Sequence, residues 1–335
     1  MQMFESVDFR ELFSHFPNQK VLIIGDVMID TYLWGNVGRV SPEAPVPIVS
    51  GVIEENRLGG AANVALNVKA MGAVPILCSV IGDDVRGKIF LELMEEQNLT
   101  DIGLVMDNQR VTTQKTRIIS SNQQLLRVDE EMDIFLTNKV QDQFLELIDN
   151  LLESGGINAI IIQDYDKGVL APRVITEVVN SADRVNVPVL VDPKFRNFNL
   201  YKGVKLFKPN YKELVRGLNL KIKKHEIEKL SKVVMKHQKD QEIDTLLVTL
   251  SEQGILTTKN GSYVHLPAVK RDIADVSGAG DTVISVAALC MISGQDIQAI
   301  AAISNLAGGQ VCEKAGVVPV DAEKLLAECE LHFKD

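Results

Sequence analysis

Short apolar runs that stop on an acid constrain this chain most. Val21-Leu22-Ile23-Ile24-Gly25 ends at Asp26, Ala159-Ile160-Ile161-Ile162-Gln163 at Asp164, and Val187-Pro188-Val189-Leu190-Val191 at Asp192. The run from Val74 to Ile81 passes into Gly82-Asp83-Asp84, and Thr245 to Leu250 into Ser251-Glu252-Gln253-Gly254. Continuous rather than alternating apolar residues describe strands buried on both faces, as in a parallel sheet. Between them lie helical stretches: one opening at Gly59-Gly60, an amphipathic one over 138–154, a charged one over 225–238, and two apolar ones over about 282–293 and 297–313. Strand and helix alternating for most of the length predict an α/β fold: a doubly wound, mostly parallel sheet with helices on both faces. No repeat, low-complexity tract or linker divides it, so residues 1–335 read as a single domain.

Two stretches break the alternation. Thr31 to Arg57 carries Pro42, Pro45 and Pro47, which exclude helix and favour edge strands or extended chain. Val111 to Arg127 alternates weakly and reads as a further strand. Together, at about 31–58 and 105–128, they are expected to form a small β-sheet lid that closes water out of a site. Its exposed edges offer a surface for pairing and hence a homodimer.

A net charge of −10 over 335 residues argues against nucleic acid, whose partners are basic. No 18-residue apolar run appears and the N-terminus is polar, so no membrane span or leader is expected and the cytoplasm is the expected compartment. The four cysteines form no C-x-x-C pair and read as reduced thiols. Gly82-Asp83-Asp84-Val85-Arg86-Gly87-Lys88-Ile89 imitates a phosphate-binding P-loop, but Ile89 replaces the Ser/Thr that would hold magnesium, and two acids in the loop would repel phosphates.

A better anion cradle is Asp275-Val276-Ser277-Gly278-Ala279-Gly280-Asp281-Thr282, a turn of small residues running into an apolar helix. Glycines let backbone approach a ligand, and a helix N-terminus attracts anions. Asp281 there is either an ordinary N-cap or an acid that takes a proton from an attacking hydroxyl. Asp26 and Asp30 fall where ligands collect in such sheets and can accept from sugar hydroxyls, or can be plain loop caps. Asn63, in the first turn after Gly59-Gly60, suits a substrate hydrogen bond or a local cap.

With these pieces placed, the chain resembles the PfkB (ribokinase-like) carbohydrate kinases over its full length. The resemblance is carried by Gly59-Gly60-Ala61-Ala62-Asn63, Ile81-Gly82-Asp83-Asp84-x-x-Gly87, Asn210-x-x-Glu213 and Asp275-x-x-Gly278-Ala279-Gly280-Asp281-Thr282. Gly25-Asp26-Val27-Met28-Ile29-Asp30, Ser41 to Pro47, Asn122 to Arg127 and Val191-Asp192-Pro193-Lys194 resemble the heptose-7-phosphate kinase branch. The resemblance implies a ribokinase-like fold and a stand-alone kinase that uses ATP and Mg²⁺. It would phosphorylate the anomeric hydroxyl of D-glycero-β-D-manno-heptose 7-phosphate. It implies Asp281 as base, with the amides of Gly278, Ala279 and Gly280 on the transferring group. Asp26, Asp30, Gly59, Gly60 and Asn63 would hold the sugar. Asn210 and Glu213 would place Mg²⁺, Glu213 through water. Thr249, Ser251, Gly254 and Asn305 would line the nucleotide site, and Asp275 would neighbour a monovalent cation such as K⁺. The substrate's own phosphate needs cations, for which Lys115, Arg117, Lys167 and Lys194 are the candidates. Gln163 and Asp164 stand at positions that vary in this branch, which touches sugar choice. Competing readings are a PfkB kinase for another sugar, phosphosugar or nucleoside, and a sensor that kept the fold without the chemistry.

Overall fold

The structure, a computed structural model, describes residues 7–121 and 123–333. Asn122, part of the heptose-branch resemblance, lies outside the described residues. The chain opens with α1 (Phe9–His15), β1 (Lys20–Gly25), β2 (Val27–Val40), β3 (Pro47–Gly60), α2 (Ala61–Ala70), β4 (Val74–Gly82), α3 (Val85–Glu96) and β5 (Leu104–Asp107). It continues through β6 (Thr113–Ser120), β7 (Gln123–Glu130), α4 (Asn138–Glu153), β8 (Ala159–Gln163), α5 (Pro172–Arg184), β9 (Val189–Asp192) and β10 (Leu206–Phe207). The last third holds α6 (Tyr211–Gly217), α7 (Ile227–Asp240), β11 (Thr245–Thr249), β12 (Ile255–Lys259), β13 (Ser262–Leu266), α8 (Ala279–Ile292), α9 (Ile297–Val311) and α10 (Ala322–Phe333).

The main sheet runs β13-β12-β11-β10-β9-β8-β1-β4-β5. From β11 to β5 every pairing is parallel; β12 and β13 add an antiparallel edge. The hairpin joining them turns on Asn260 and Gly261, both at positive φ, as the Asn-Gly pair predicts. Burial follows the strand pleat. Val21, Ile23, Ile161, Leu190 and Leu247 enter the core under α2, α8 and α9. Leu22, Ile24, Ile160, Ile162, Val191 and Val248 enter a second core with α4 and α5. Strands covered on both faces have no polar side to spare, which is why the runs read as unbroken apolar sequence.

The chain leaves β1 toward β4 and β5, then returns to β1's other side at β8 and winds outward to β11. The carboxyl ends of β1 and β8 therefore flank the point where the winding reverses, the crevice that open α/β sheets use for ligands.

A separate four-stranded sheet, β3-β2-β6-β7, rises from the same end. It corrects two expectations. The stretch 111–127 is not one strand but the hairpin β6–β7, with Ser121 in the left-handed region at φ 49° and no glycine to announce it. Residues 105–107, expected in this small sheet, belong to β5 and pair with β4 in the main sheet. The near-miss at Gly82 is explained too. Asp84 is the N-cap of α3, accepting from Gly87 N and from Thr112 N at 2.9 Å, so its charge is spent on backbone.

Ile161, fully buried in the central strand β8, is the test of this packing. Ile161→Ala should destabilise the fold by about 3 kcal/mol in urea unfolding, since the rigid sheet cannot collapse onto the cavity. A loss below about 1 kcal/mol would contradict the two-sided burial.

Candidate active site

The turn into α8 is shaped by Gly278, its N-cap, at φ 79°. A Cβ at that position would strain the backbone and lie 2.9 Å from Asn63 Nδ2. Two residues later Gly280 leaves open a space where a Cβ would stand 3.4 Å from Lys208 Nζ and 3.6 Å from Asp192 Oδ2. Gly278, Ala279 and Gly280 remain partly accessible, while Asp281, in the helix's first turn, is only 4% exposed. The result is a partly open turn of backbone with an acid directly beneath it.

Asp281 is held from several elements. Asn63 Nδ2, on α2, donates to Oδ2 at 2.7 Å. The Tyr165 hydroxyl, after β8, donates to Oδ1 at 2.7 Å, and Gln163 Nε2 reaches the same oxygen at 3.3 Å. Asn63 is itself fixed by Asn67, whose Nδ2 donates to Asn63 O at 2.8 Å. Below, Gln163 Nε2 also reaches Asp192 Oδ2 at 3.2 Å, and Lys208 pairs with that oxygen at 2.9 Å, both partners being almost fully buried. Burial, opposed by the donors Asn63 and Tyr165, pushes the Asp281 carboxyl up to about 6. Such a group ionises near neutrality, as a general base must. Gln163 Oε1, buried beside it, has no partner among the described residues and can accept a hydroxyl from a ligand.

The strand-end acids are engaged differently from the sugar contacts expected of them. Asp26, 1% exposed, accepts from Tyr165 N, Lys167 N and Val169 N at 2.9–3.1 Å, so its carboxylate shapes the loop after β8. Asp164 accepts from Tyr201 Oη and Asn197 Nδ2; burial and neighbouring Asp26 push it up to about 6. Asp30 pairs with Arg117 at 2.6 Å across β2 and β6, beside the Tyr32 ring. Gly59 lies against Asp30, and Gly60 (φ 64°) packs on the Asp26 carbonyl.

The candidate cations divide into three groups. Lys115 and Lys167, from β6 and the loop after β8, are joined by Glu131, which accepts from them at 2.8 and 2.9 Å. Arg117 is taken by Asp30. Lys194 bonds Glu213 and lies 5.2 Å from the Tyr165 ring centroid. Burial pulls the Lys194 ammonium down, but Asp192 and Glu213 outweigh it and hold the group well above its ordinary value.

Asn210 and Glu213 form a reciprocal capping box at the start of α6, with Glu213 Oε2 accepting from Asn210 N at 2.8 Å. Thr249 ends β11 beside Asn210, Ser251 follows at φ 51°, and Gly254 (φ 81°) closes that turn against Leu266 O. Asn305, on α9, donates to Pro267 O at 2.8 Å. Asp275 accepts from Ser277 N, Ser277 Oγ and Gly316 N; burial pushes its carboxyl up, yet these donors hold it below the ordinary range. Among the described residues no three acids, histidines or cysteines gather as a metal cage.

Two residues at the centre, Tyr165 and Lys208, were not singled out from sequence, and Gln163 was noted only as a position that varies in the branch the chain resembles. Tyr165 lies in a polar loop, Gln163 ends an apolar run, and Lys208 follows a two-residue strand. A signal for Lys208 existed: a lysine that ends a buried strand needs a buried acid.

Residues 18–324 match the family model described as pfkB family carbohydrate kinase. The Bifunctional protein HldE of Pelobacter propionicus is 36% identical over 325 residues, 97% of this chain and 66% of that protein. That of Helicobacter pylori (strain J99) is 37% identical over 307 residues, 92% of this chain and 65% of that protein. The chain thus spans just under two thirds of the length of these relatives. Among solved structures, phosphofructokinase-2 from Escherichia coli in complex with potassium superposes with a TM-score of 0.75 at 16% identity, over 92% of this chain and 98% of that one. Arabidopsis thaliana ribokinase complexed with ribose and ATP gives 0.71 at 18%, over 92% and 98%. At such identities the likeness is one of fold.

The raised Asp281 carboxyl has a consequence for stability. Its folded value exceeds the unfolded one, so it favours the fold below about pH 4, and that contribution is lost as pH rises through 6. Asp281→Asn should therefore be more stable than the parent at pH 8, with the gap closing toward pH 4, as read by chemical denaturation. A variant less stable than the parent at pH 8 would contradict the strained burial of this carboxylate.

Proposed function

As a member of the pfkB family of carbohydrate kinases, to which the chain belongs, the protein is a sugar kinase, and we propose that its acceptor is the anomeric hydroxyl of D-glycero-β-D-manno-heptose 7-phosphate. The product would be the 1,7-bisphosphate, a precursor on the way to ADP-heptose and lipopolysaccharide. Support for the sugar comes from the likeness to the HldE proteins; support for the chemistry comes from the site. The observation that carries the reading is a buried carboxylate, held by donors from α2, the end of β8 and the loop beyond it, beneath a partly open helix N-terminus at the sheet's winding reversal.

In this proposal Asp281 takes the proton of the acceptor hydroxyl as the oxygen attacks phosphorus. Amides of the Gly278–Gly280 turn face the charge that develops on the transferring group, helped by the α8 dipole. Lys208, buried behind Gly280, pairs with Asp192 and so keeps a bare negative charge from standing behind the turn. Asn63 and Gln163 orient the base, and the Gln163 Oε1 acceptor receives a sugar hydroxyl. Gly59, Gly60 and Asp30 shape the sugar side, while Asp26 acts by holding the loop after β8. Lys115 and Lys167, now bridged by Glu131, would meet the sugar's phosphate, with Arg117, paired with Asp30, as the third candidate.

Pfkb-family kinases use ATP and a divalent metal; we assign the metal as Mg²⁺, which would neutralise the phosphates when bound. Asn210 and Glu213, with Lys194, would face it through water, and Thr249, Ser251, Gly254 and Asn305 would border the nucleotide. Asp275, held ionised, would supply charge for a potassium ion.

The four-stranded sheet would close over the sugar as a lid. It also exposes Val40, Ile53, Leu126 and Val128, apolar side chains that a second copy of the sheet would cover. We propose a homodimer through this sheet; a monomeric mass at working concentration would remove it. A sensor without chemistry would gain nothing from an acid held beneath the turn, which favours the kinase.

Asp281→Asn should lower turnover by about 10²–10⁴-fold while ATP and sugar phosphate still bind, since only the proton acceptor is lost. Near-normal turnover would sink the assignment of the base. ATP consumption across a panel of sugars and sugar phosphates should be greatest with the heptose 7-phosphate, and ³¹P NMR should show a new anomeric phosphate. Preference for an unphosphorylated sugar would overturn the acceptor proposed here.

A further inference from the structure

Asp281 is approached by two neutral donors at 2.7 Å, and they differ in how they are held. Asn63 is fixed within its own helix by Asn67. Tyr165 is fixed from both ends by charged groups that belong to other elements. Its backbone N–H goes to Asp26 Oδ2 at 3.0 Å, at the end of β1. Its ring lies 5.2 Å from the Lys194 ammonium, which Glu213 holds. A phenol clamped between a strand-end carboxylate and an ion pair has little freedom to turn its hydroxyl elsewhere.

We infer that Tyr165 is a positioning residue for phosphoryl transfer, whose hydroxyl fixes Oδ1 of Asp281 and so sets the orientation of the carboxylate that receives the acceptor's proton. The inference rests on the reading of Asp281 as the base. It also gives buried Asp26 a purpose, since the three backbone N–H groups it accepts shape the loop that carries Tyr165. Tyr165 does not relay the proton. Burial and Asp281 hold the phenol well above its ordinary value, so it remains a donor throughout the working range. A donor to a carboxylate favours the ionised form. The other charges facing Asp281 are Asp192, which raises it, Lys208, which lowers it, and Lys194, whose ammonium interacts with Asp281. Tyr165→Phe leaves all three in place and keeps the ring beneath Lys194.

The pH profile of kcat/KM separates this role from a packing role. A hydrogen bond to a charged group is comparable in strength to one pKa unit. In Tyr165→Phe the acidic limb should therefore move up by about one pH unit. The loss should be roughly tenfold near pH 5.5 and shrink as pH rises past 8, with KM for ATP unchanged. The substrate phosphate's own ionisation is common to both proteins and cancels in the comparison. The infrared carboxyl band that disappears in Asp281→Asn should titrate with the same upward shift in Tyr165→Phe, a readout independent of turnover. An unchanged profile, or a loss by the same factor at every pH with an unshifted band, would overturn the inference. If Asp281→Asn is inactive while Tyr165→Phe keeps the parent profile, only the role of Tyr165 falls. If Asp281→Asn turns over normally, the reading of the base falls with it.

Discussion

Asp281 keeps a carboxylate 4% exposed by accepting hydrogen bonds from α2, from the end of β8 and from the loop beyond it. A lone buried carboxylate would be prohibitive, and one matched by several charged partners would ionise too readily to act as a base. Neutral donors at each oxygen, with Asp192 and Lys208 a step further away, leave it between those limits, near 6. Much of the site's architecture follows from supplying those donors. The winding reversal brings β8 next to β1, Gly278 lets α8 start close to Asn63, and Lys208 neutralises Asp192 so that a second bare acid does not stand beside the first.

The acids at the strand ends do not share one task. Asp26 and Asp164 turn inward and hold loops through backbone N–H groups, Tyr201 and Asn197; Asp30 is matched by Arg117; Asp192 is matched by Lys208. Asp281, by contrast, is buried beneath a partly open turn with neutral donors and no ion pair of its own among the described residues. Proximity to the crevice is thus a poor guide to role, and the number and charge of the partners a carboxylate already has is a better one.

What could be read from sequence was whatever has a strong local signature. Runs such as Val21–Ile24 and Ile160–Ile162 announce strands covered on both faces, Asn260-Gly261 announces its hairpin, and the Gly278–Asp281 turn announces its helix start. The β6–β7 hairpin was missed because its turn uses Ser121 at positive φ, where glycine or proline would normally mark the break. Lys115 and Lys167 were legible as cations, but the carboxylate joining them, Glu131, was not, since nothing in one dimension brings position 131 to both. Tyr165 was invisible for the same reason: a tyrosine in a polar loop has no signature until the fold sets its hydroxyl 2.7 Å from Asp281.

In the proposed reaction the α8 turn and the carboxylate beneath it jointly hold the two reacting groups. A crystal structure with a non-hydrolysable ATP analogue, a divalent cation and the heptose 7-phosphate tests it most directly. The account predicts the γ-phosphate at the amides of the Gly278–Gly280 turn and the acceptor hydroxyl within hydrogen-bond reach, about 3 Å, of the Asp281 carboxylate. A sugar hydroxyl directed to another base, or a γ-phosphate seated away from this turn, would contradict it.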